Sequence, residues 1–107
     1  MSDFETVTTT TDSLDEAKRL SAAAVEARLA ACAQVSSPVT STYWWQGRVE
    51  TATEYRIEFK TRGPITRQLL EFLKERHSYQ TPELLVTPIL TGHQNYLDWI
   101  EAETRAR

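Results

Sequence analysis

One cysteine, Cys32, is the only thiol in this chain of 107 residues. No internal disulfide can form and no paired-cysteine metal or redox motif can be built; a lone thiol fits a reducing compartment. No apolar run approaches the roughly 18 residues that span a bilayer. The opening stretch MSDFETV has neither the basic nor the apolar region of a signal peptide, so a cytoplasmic protein without a membrane partner is expected. Basic residues are scattered and outnumbered, 12 Lys and Arg against 15 Asp and Glu. A nucleic-acid partner would favour a basic face, and none is visible. Repeats and low-complexity linkers are absent. With 40% hydrophobic and 25% charged residues, residues 1–107 read as one soluble domain with a single core.

Glycine is scarce, and each of the three marks a break in periodicity. Phe4 to Thr11 (FETVTTTT), β-branched and aromatic, reads as a strand. Ser13 and Glu16 match a capping box, so a helix follows, to about Ala31. Leu14, Ala17, Leu20, Ala24, Val25 and Ala31 share one arc, with Asp15, Arg19 and Glu26 opposite. Arg28 falls inside the apolar arc, near the end where a cation meets free carbonyls. Cys32 to Trp45 reads as one long strand with a bulge or unpaired edge at Pro38, and Gln46-Gly47 turns it into a second strand, Arg48 to Thr61. From Glu54 that strand alternates, Tyr55, Ile57, Phe59 and Thr61 facing away from Glu54, Arg56, Glu58 and Lys60. Gly63-Pro64 opens a helix to about Arg76 with Ile65, Leu69, Phe72 and Leu73 buried. His77 to Pro82 is a loop, Leu84 to Ile89 a short strand ending near Pro88. After Gly92 come Tyr96, Leu97, Trp99 and Ile100 on a short terminal helix. The order β-α-β-β-α-β plus a helix is the ferredoxin-like pattern: an α+β sandwich of two helices on a four-stranded antiparallel sheet, with the other face open for oligomerisation.

Several fragments together resemble one family. They are Ala30-Ala31-Cys32, Ser41 to Gly47 (STYWWQG), Glu54, Lys60-Thr61, His77 to Glu83 (HSYQTPE), Tyr96 and Trp99. In order and spacing they are similar to the CutA divalent-cation tolerance proteins. The resemblance implies a homotrimer, a hairpin around Trp44 to Arg48 that pairs with a neighbour, and a role in tolerance of copper and other divalent metals. It also implies a likeness to PII signalling proteins in subunit fold. The chain departs from the family pattern at Ser78, where proline is usual, and the restored N–H is expected to loosen the loop. It departs again at Gln34, where asparagine is usual, and at Ala22, Ala23, Ala24 and Ala27, where charged or bulky residues are usual.

The candidate site residues follow. His77 and Cys32 are the candidate ligands for copper or another divalent metal; one chain supplies too few strong donors, so a site would be shared between subunits. The plainer readings are a helix C-cap histidine and a small buried thiol. Lys60, Tyr79 and Glu83, with Trp45 as a wall, would line an inter-subunit pocket. Lys60 could instead pair with Glu54 on its strand face. Tyr43, Trp44, Trp45 and Trp99 are the expected trimer interface. Ala22, Ala23, Ala27 and Ala30 form a small-residue patch that either reflects helix propensity or docks a further protein. His93 reads as a surface residue. Nothing supplies a nucleophile–base pair, so no enzyme is expected. Beside a metal-responsive trimer stand two rivals: a PII-like sensor of a small anion held by Lys60, and a trimeric scaffold.

Overall fold

Thr-rich alternation at the N-terminus and aliphatic alternation near residue 57 build the centre of the sheet. In the computed structural model, which describes residues 2–106, the elements are β1 (Phe4–Thr11), α1 (Leu14–Glu26), β2 (Cys32–Val35), β3 (Val39–Trp45), β4 (Arg48–Arg62), a 3-10 turn (Gly63–Ile65), α2 (Thr66–Arg76), β5 (Leu85–Pro88) and α3 (Gln94–Glu103). The sheet is antiparallel with strand order β2-β4-β1-β5, and β3 pairs with the first half of β4. That is the expected ferredoxin-like order. Val7 lies opposite Phe59 and Thr9 opposite Ile57, so the buried faces of β1 and β4 coincide. Ala17, Leu20, Ala24, Leu69 and Leu73 from α1 and α2 close the core over them. Removing the Phe59 ring would cost about 3–5 kcal/mol, the ordinary price of a large cavity.

Five strands stand where four were expected. Pro38 has no N–H for a ladder, and the long strand breaks into β2 and β3 around Ser36-Ser37-Pro38. Ser36 carries the chain across the break: its N–H donates to Arg56 O at 2.9 Å and its Oγ accepts from Arg56 N–H at 3.1 Å. As a result, β3 and residues 48–54 leave the sheet as a two-stranded arm, and the molecule is 44 Å long but only 26 by 23 Å across.

The first helix also ends sooner than its pattern suggests. Arg28 takes φ +62°. Leu29 N–H bonds Ala24 O at 3.1 Å and Arg28 N–H bonds Val25 O at 3.0 Å, the paired bonds of a Schellman cap. An arginine therefore holds the left-handed position usually given to glycine. Its guanidinium donates to the side chain and backbone carbonyl of Glu103, at 2.7 and 3.2 Å. The expected meeting with free carbonyls does occur, but at the end of α3. Leu14, expected on the buried arc, is exposed. Among the described residues no helix is long and apolar enough to cross a membrane.

Candidate functional site

The segment His77–Tyr79 leaves the end of α2 and runs beneath the start of α1. Three anchors hold His77. Its N–H donates to Leu73 O at 2.9 Å, its Nε2 donates to Thr10 O at 2.9 Å, and its Nδ1 accepts the N–H of Tyr79 at 3.0 Å. These partners specify one tautomer, with the proton on Nε2. Both ring nitrogens are thus occupied and the side chain is buried, so within this chain His77 has no lone pair to offer a metal.

Ser78 does not loosen the loop. Its N–H and its Oγ each donate to the Glu16 carboxylate at 2.7 Å, and Thr11 Oγ1 donates to the same group. The restored N–H that proline would lack is one of the donors. Glu16 is 3% exposed. Burial pushes its carboxyl up, but the hydrogen bonds from Thr11 and Ser78, with His77 alongside, outweigh burial and hold it below the ordinary value. Only half of the capping box forms. Ser13 Oγ accepts from Glu16 N–H at 3.1 Å, while the carboxylate turns to Thr11 and Ser78.

Tyr79 then points to the root of the arm, where its hydroxyl donates to Glu54 Oε2 at 2.7 Å. Burial first, and then the bond and charge of Glu54, push the phenol well above its usual range, so it stays a donor. Glu54 is 7% exposed, the only buried residue of residues 48–54. It does not pair with Lys60. Lys60 donates to Gln34 Oε1 on the open face, so the longer side chain at 34 does find a partner. Glu83 is exposed beyond the loop.

Cys32 lies elsewhere, opposite Lys60 in the β2–β4 register. Its Sγ is 3.6 Å from the Tyr96 hydroxyl. The thiol's hydrogen bond, and then burial, raise the Tyr96 phenol. Tyr96 packs on Trp99 at 5.4 Å, and Trp99 borders a hollow of about 300 Å³ with Val25, Ala30, Ala31 and the Arg28–Glu103 pair. Trp45 stands at the arm tip opposite Arg48. From there to Lys60 is roughly a dozen strand residues, or roughly 40 Å at about 3.3 Å each. The residues expected to share a pocket are therefore not gathered by one chain: Tyr79 joins Glu54, Lys60 joins Gln34 and Cys32, and Trp45 is remote. Of the small-residue patch, Ala22 and Ala27 are exposed and Ala23 partly so, but Ala30 is 1% exposed and past the helix end. His93 is exposed at the start of α3, as expected.

Residues that could hold a metal are correspondingly dispersed. Among the described residues no three His, Cys, Asp or Glu side chains gather as a metal cluster. Among the described residues, Cys32 is the one soft donor. Sequence reasoning treated Glu16 only as a cap, although its helical position carries a signal. At 100° per residue it falls on the arc of Leu20 and Ala24, and a carboxylate there must find buried donors.

Comparison with known proteins is consistent across sequence and structure. The CutA1 divalent ion tolerance protein family matches residues 5–103. A divalent-cation tolerance protein CutA of Escherichia coli is 43% identical over 89 residues, 83% of this chain and 80% of that protein. The chloroplastic CutA 1 of Oryza sativa is 38% identical over 88 residues, 82% of this chain, which spans half of that longer protein. The structure of the periplasmic divalent cation tolerance protein CutA of Archaeoglobus fulgidus superposes with a TM-score of 0.92 at 35% identity, over 95% of this chain and 99% of that one.

Proposed function

The chain belongs to the CutA1 divalent ion tolerance family, and from that premise we propose that it is a homotrimeric, cytoplasmic metal-responsive binding protein, not an enzyme, whose pockets form between subunits. One observation carries the reading. Tyr43, Trp44 and Trp45 are 41%, 74% and 46% exposed on an arm whose two strands pair only with each other. An isolated two-stranded ribbon is marginal in water, and clustered exposed aromatics mark an interface. A second copy would cover them. Lys60 and Trp45, remote within one chain, could then line a common pocket with Tyr79 and Glu83 of whichever subunits meet there.

Copper is the ion we assign, because the donor that remains accessible is a half-buried thiol, Cys32, and thiolates favour Cu(I). One thiol per chain means the site needs donors from more than one copy. The lone cysteine also supports the cytoplasmic part of the reading; the Archaeoglobus relative is described as periplasmic. Native mass spectrometry of protein purified without chelator, then titrated with copper under reducing conditions, tests the whole. A trimer whose copper uptake is lost in Cys32→Ala is expected. A monomer at all concentrations, or a trimer whose uptake ignores Cys32, refutes it.

A second reading has its own observation. Among the described residues Lys60 forms no ion pair and donates to a neutral amide, leaving a cation on the open face for a small anion. A thermal-shift screen of nucleotides and small acids reads this directly, since a ligand of the folded state raises Tm by mass action; no shift at millimolar ligand rules it out.

A further inference from the structure

Two hydrogen-bond clusters, one on Ser78 and one on Tyr79, tie the first turn of α1 and the loop after α2 to the end of the β1–β4 ladder, where Thr11 faces Tyr55. At one end, Glu16 holds Ser78 through two bonds and Thr11 through a third. At the other, Tyr79 holds Glu54, where β4 leaves the sheet to enter the arm. His77, which precedes both, is fixed to β1 through Thr10, and its ring receives the Tyr79 N–H. Ser78 and Tyr79 are neighbours in a segment whose every residue carries a side-chain hydrogen bond. A shift of Ser78 therefore displaces the Tyr79 backbone, and with it the hydroxyl at Glu54.

We propose that His77–Tyr79 is a strap coupling the first turn of α1 to the root of the β3–β4 arm, with Glu16 and Ser78 as its positioning residues. The order of the loop and the order of the arm rise and fall together. Coupling of this kind is reciprocal: whatever settles on Tyr43, Trp44 and Trp45 tightens the loop, and whatever fills the loop steadies the arm. The inference does not depend on copper or on the number of subunits. Serine at position 78 is central to it, because proline there would remove both bonds to Glu16 and leave the segment held only through His77 and Tyr79.

Hydrogen exchange read by mass spectrometry on the full chain tests it. His77 sits at φ −73°, ψ 140°, so the residue before position 78 already has the extended backbone that a following proline requires. Both bonds it removes go to a charged acceptor, so exchange at the loop and in residues 43–50 should quicken by roughly tenfold or more, while the core of α2 around Leu69 and Leu73 holds. Ser78→Thr, which keeps both donors, should match the parent, and Ser78→Ala should fall between. With Tyr79→Phe as the background, Ser78→Pro should add nothing at the arm, because the link is already cut. Arm exchange that ignores Ser78→Pro while the loop quickens overturns the proposal. So does an equal effect of Ser78→Pro with and without the Tyr79 hydroxyl, or a uniform rise that includes the α2 core. If Ser78→Pro fails to fold, Ser78→Ala against Tyr79→Phe makes the same cycle.

Discussion

Three threonines on the helix-covered side of the sheet make a controlled experiment in hydroxyl burial. Thr9, Thr11 and Thr61 are each 0% exposed. Thr11 Oγ1 donates to Glu16, and Thr61 Oγ1 donates to Leu29 O at 2.7 Å. Thr9 Oγ1, opposite Ile57, is the one buried side-chain polar atom among the described residues without a partner. Valine copies the shape of threonine and its strand preference, so Thr→Val isolates the hydroxyl. At Thr9 the swap removes an uncompensated desolvation cost and should stabilise by about 1–2 kcal/mol. At Thr61 it strips a buried carbonyl of its donor and should destabilise by about 1–2 kcal/mol. At Thr11 the lost bond is to a carboxylate, and about 1.5–3 kcal/mol should go. Chemical denaturation of all three at one protein concentration, which an assembling chain requires, gives the ordering directly. On the thermal axis, about 1 kcal/mol corresponds to roughly 4–8 °C for a domain of this size. A Thr9→Val variant as destabilised as Thr61→Val would refute the reasoning, because it would mean the Thr9 hydroxyl has a buried partner, such as a water.

Two further outcomes follow from single side chains. Arg28→Gly and Arg28→Ala both lose the half-exposed bonds to Glu103, which contribute little, but only glycine relieves the left-handed backbone; the glycine variant should therefore be the more stable of the pair by about 1 kcal/mol, in denaturation at matched concentration. The Glu16 carboxyl is held below its ordinary value of 4.5, so the native state binds its proton less readily than the unfolded state. The stability this supplies is complete above that value and is lost as pH falls through the lower folded one. Acid titration of Glu16→Gln should show a shallower loss of stability below about pH 4.5 than the parent, and parallel curves would show that the carboxylate is not the group responsible.

The sheet was legible because its determinants are local. Alternation from Glu54 to Thr61 gives the faces of β4 without knowledge of its neighbours, and the spacing of Ala17, Leu20, Ala24, Leu69, Phe72 and Leu73 gives the helices. The errors fall where two local signals compete. At Pro38 a β-rich run met a residue that cannot donate, and the ladder gave way, turning one strand into two. At Arg28 the apolar period ran on to Ala31, but the helix stopped, and Leu29 N–H reaches back to Ala24 O. Neither glycine nor asparagine marks that stop, so no residue type announced it.

The site was harder to read because its bonds are not local. Ser78 and Glu16 are 62 positions apart, Tyr79 and Glu54 are 25 apart, and Cys32 and Tyr96 are 64 apart. Residue type made Glu54 one candidate partner for Lys60, since both lie on one strand face. The fold decided otherwise: Glu54 marks the point where the sheet ends and the arm begins, and there it meets the loop after α2, whereas Lys60 lies deep in the sheet beside β2. The same geometry sets what His77 can do within one chain. Among His, Ser, Tyr and Glu, the histidine is the best metal ligand by type, but its position at the end of α2 gives it Thr10 and Tyr79 as partners before any ion arrives. What the loop offers instead is mechanical: a buried carboxylate at one end, a phenol at the other, and between them the one residue whose identity, serine and not proline, decides whether both ends are held.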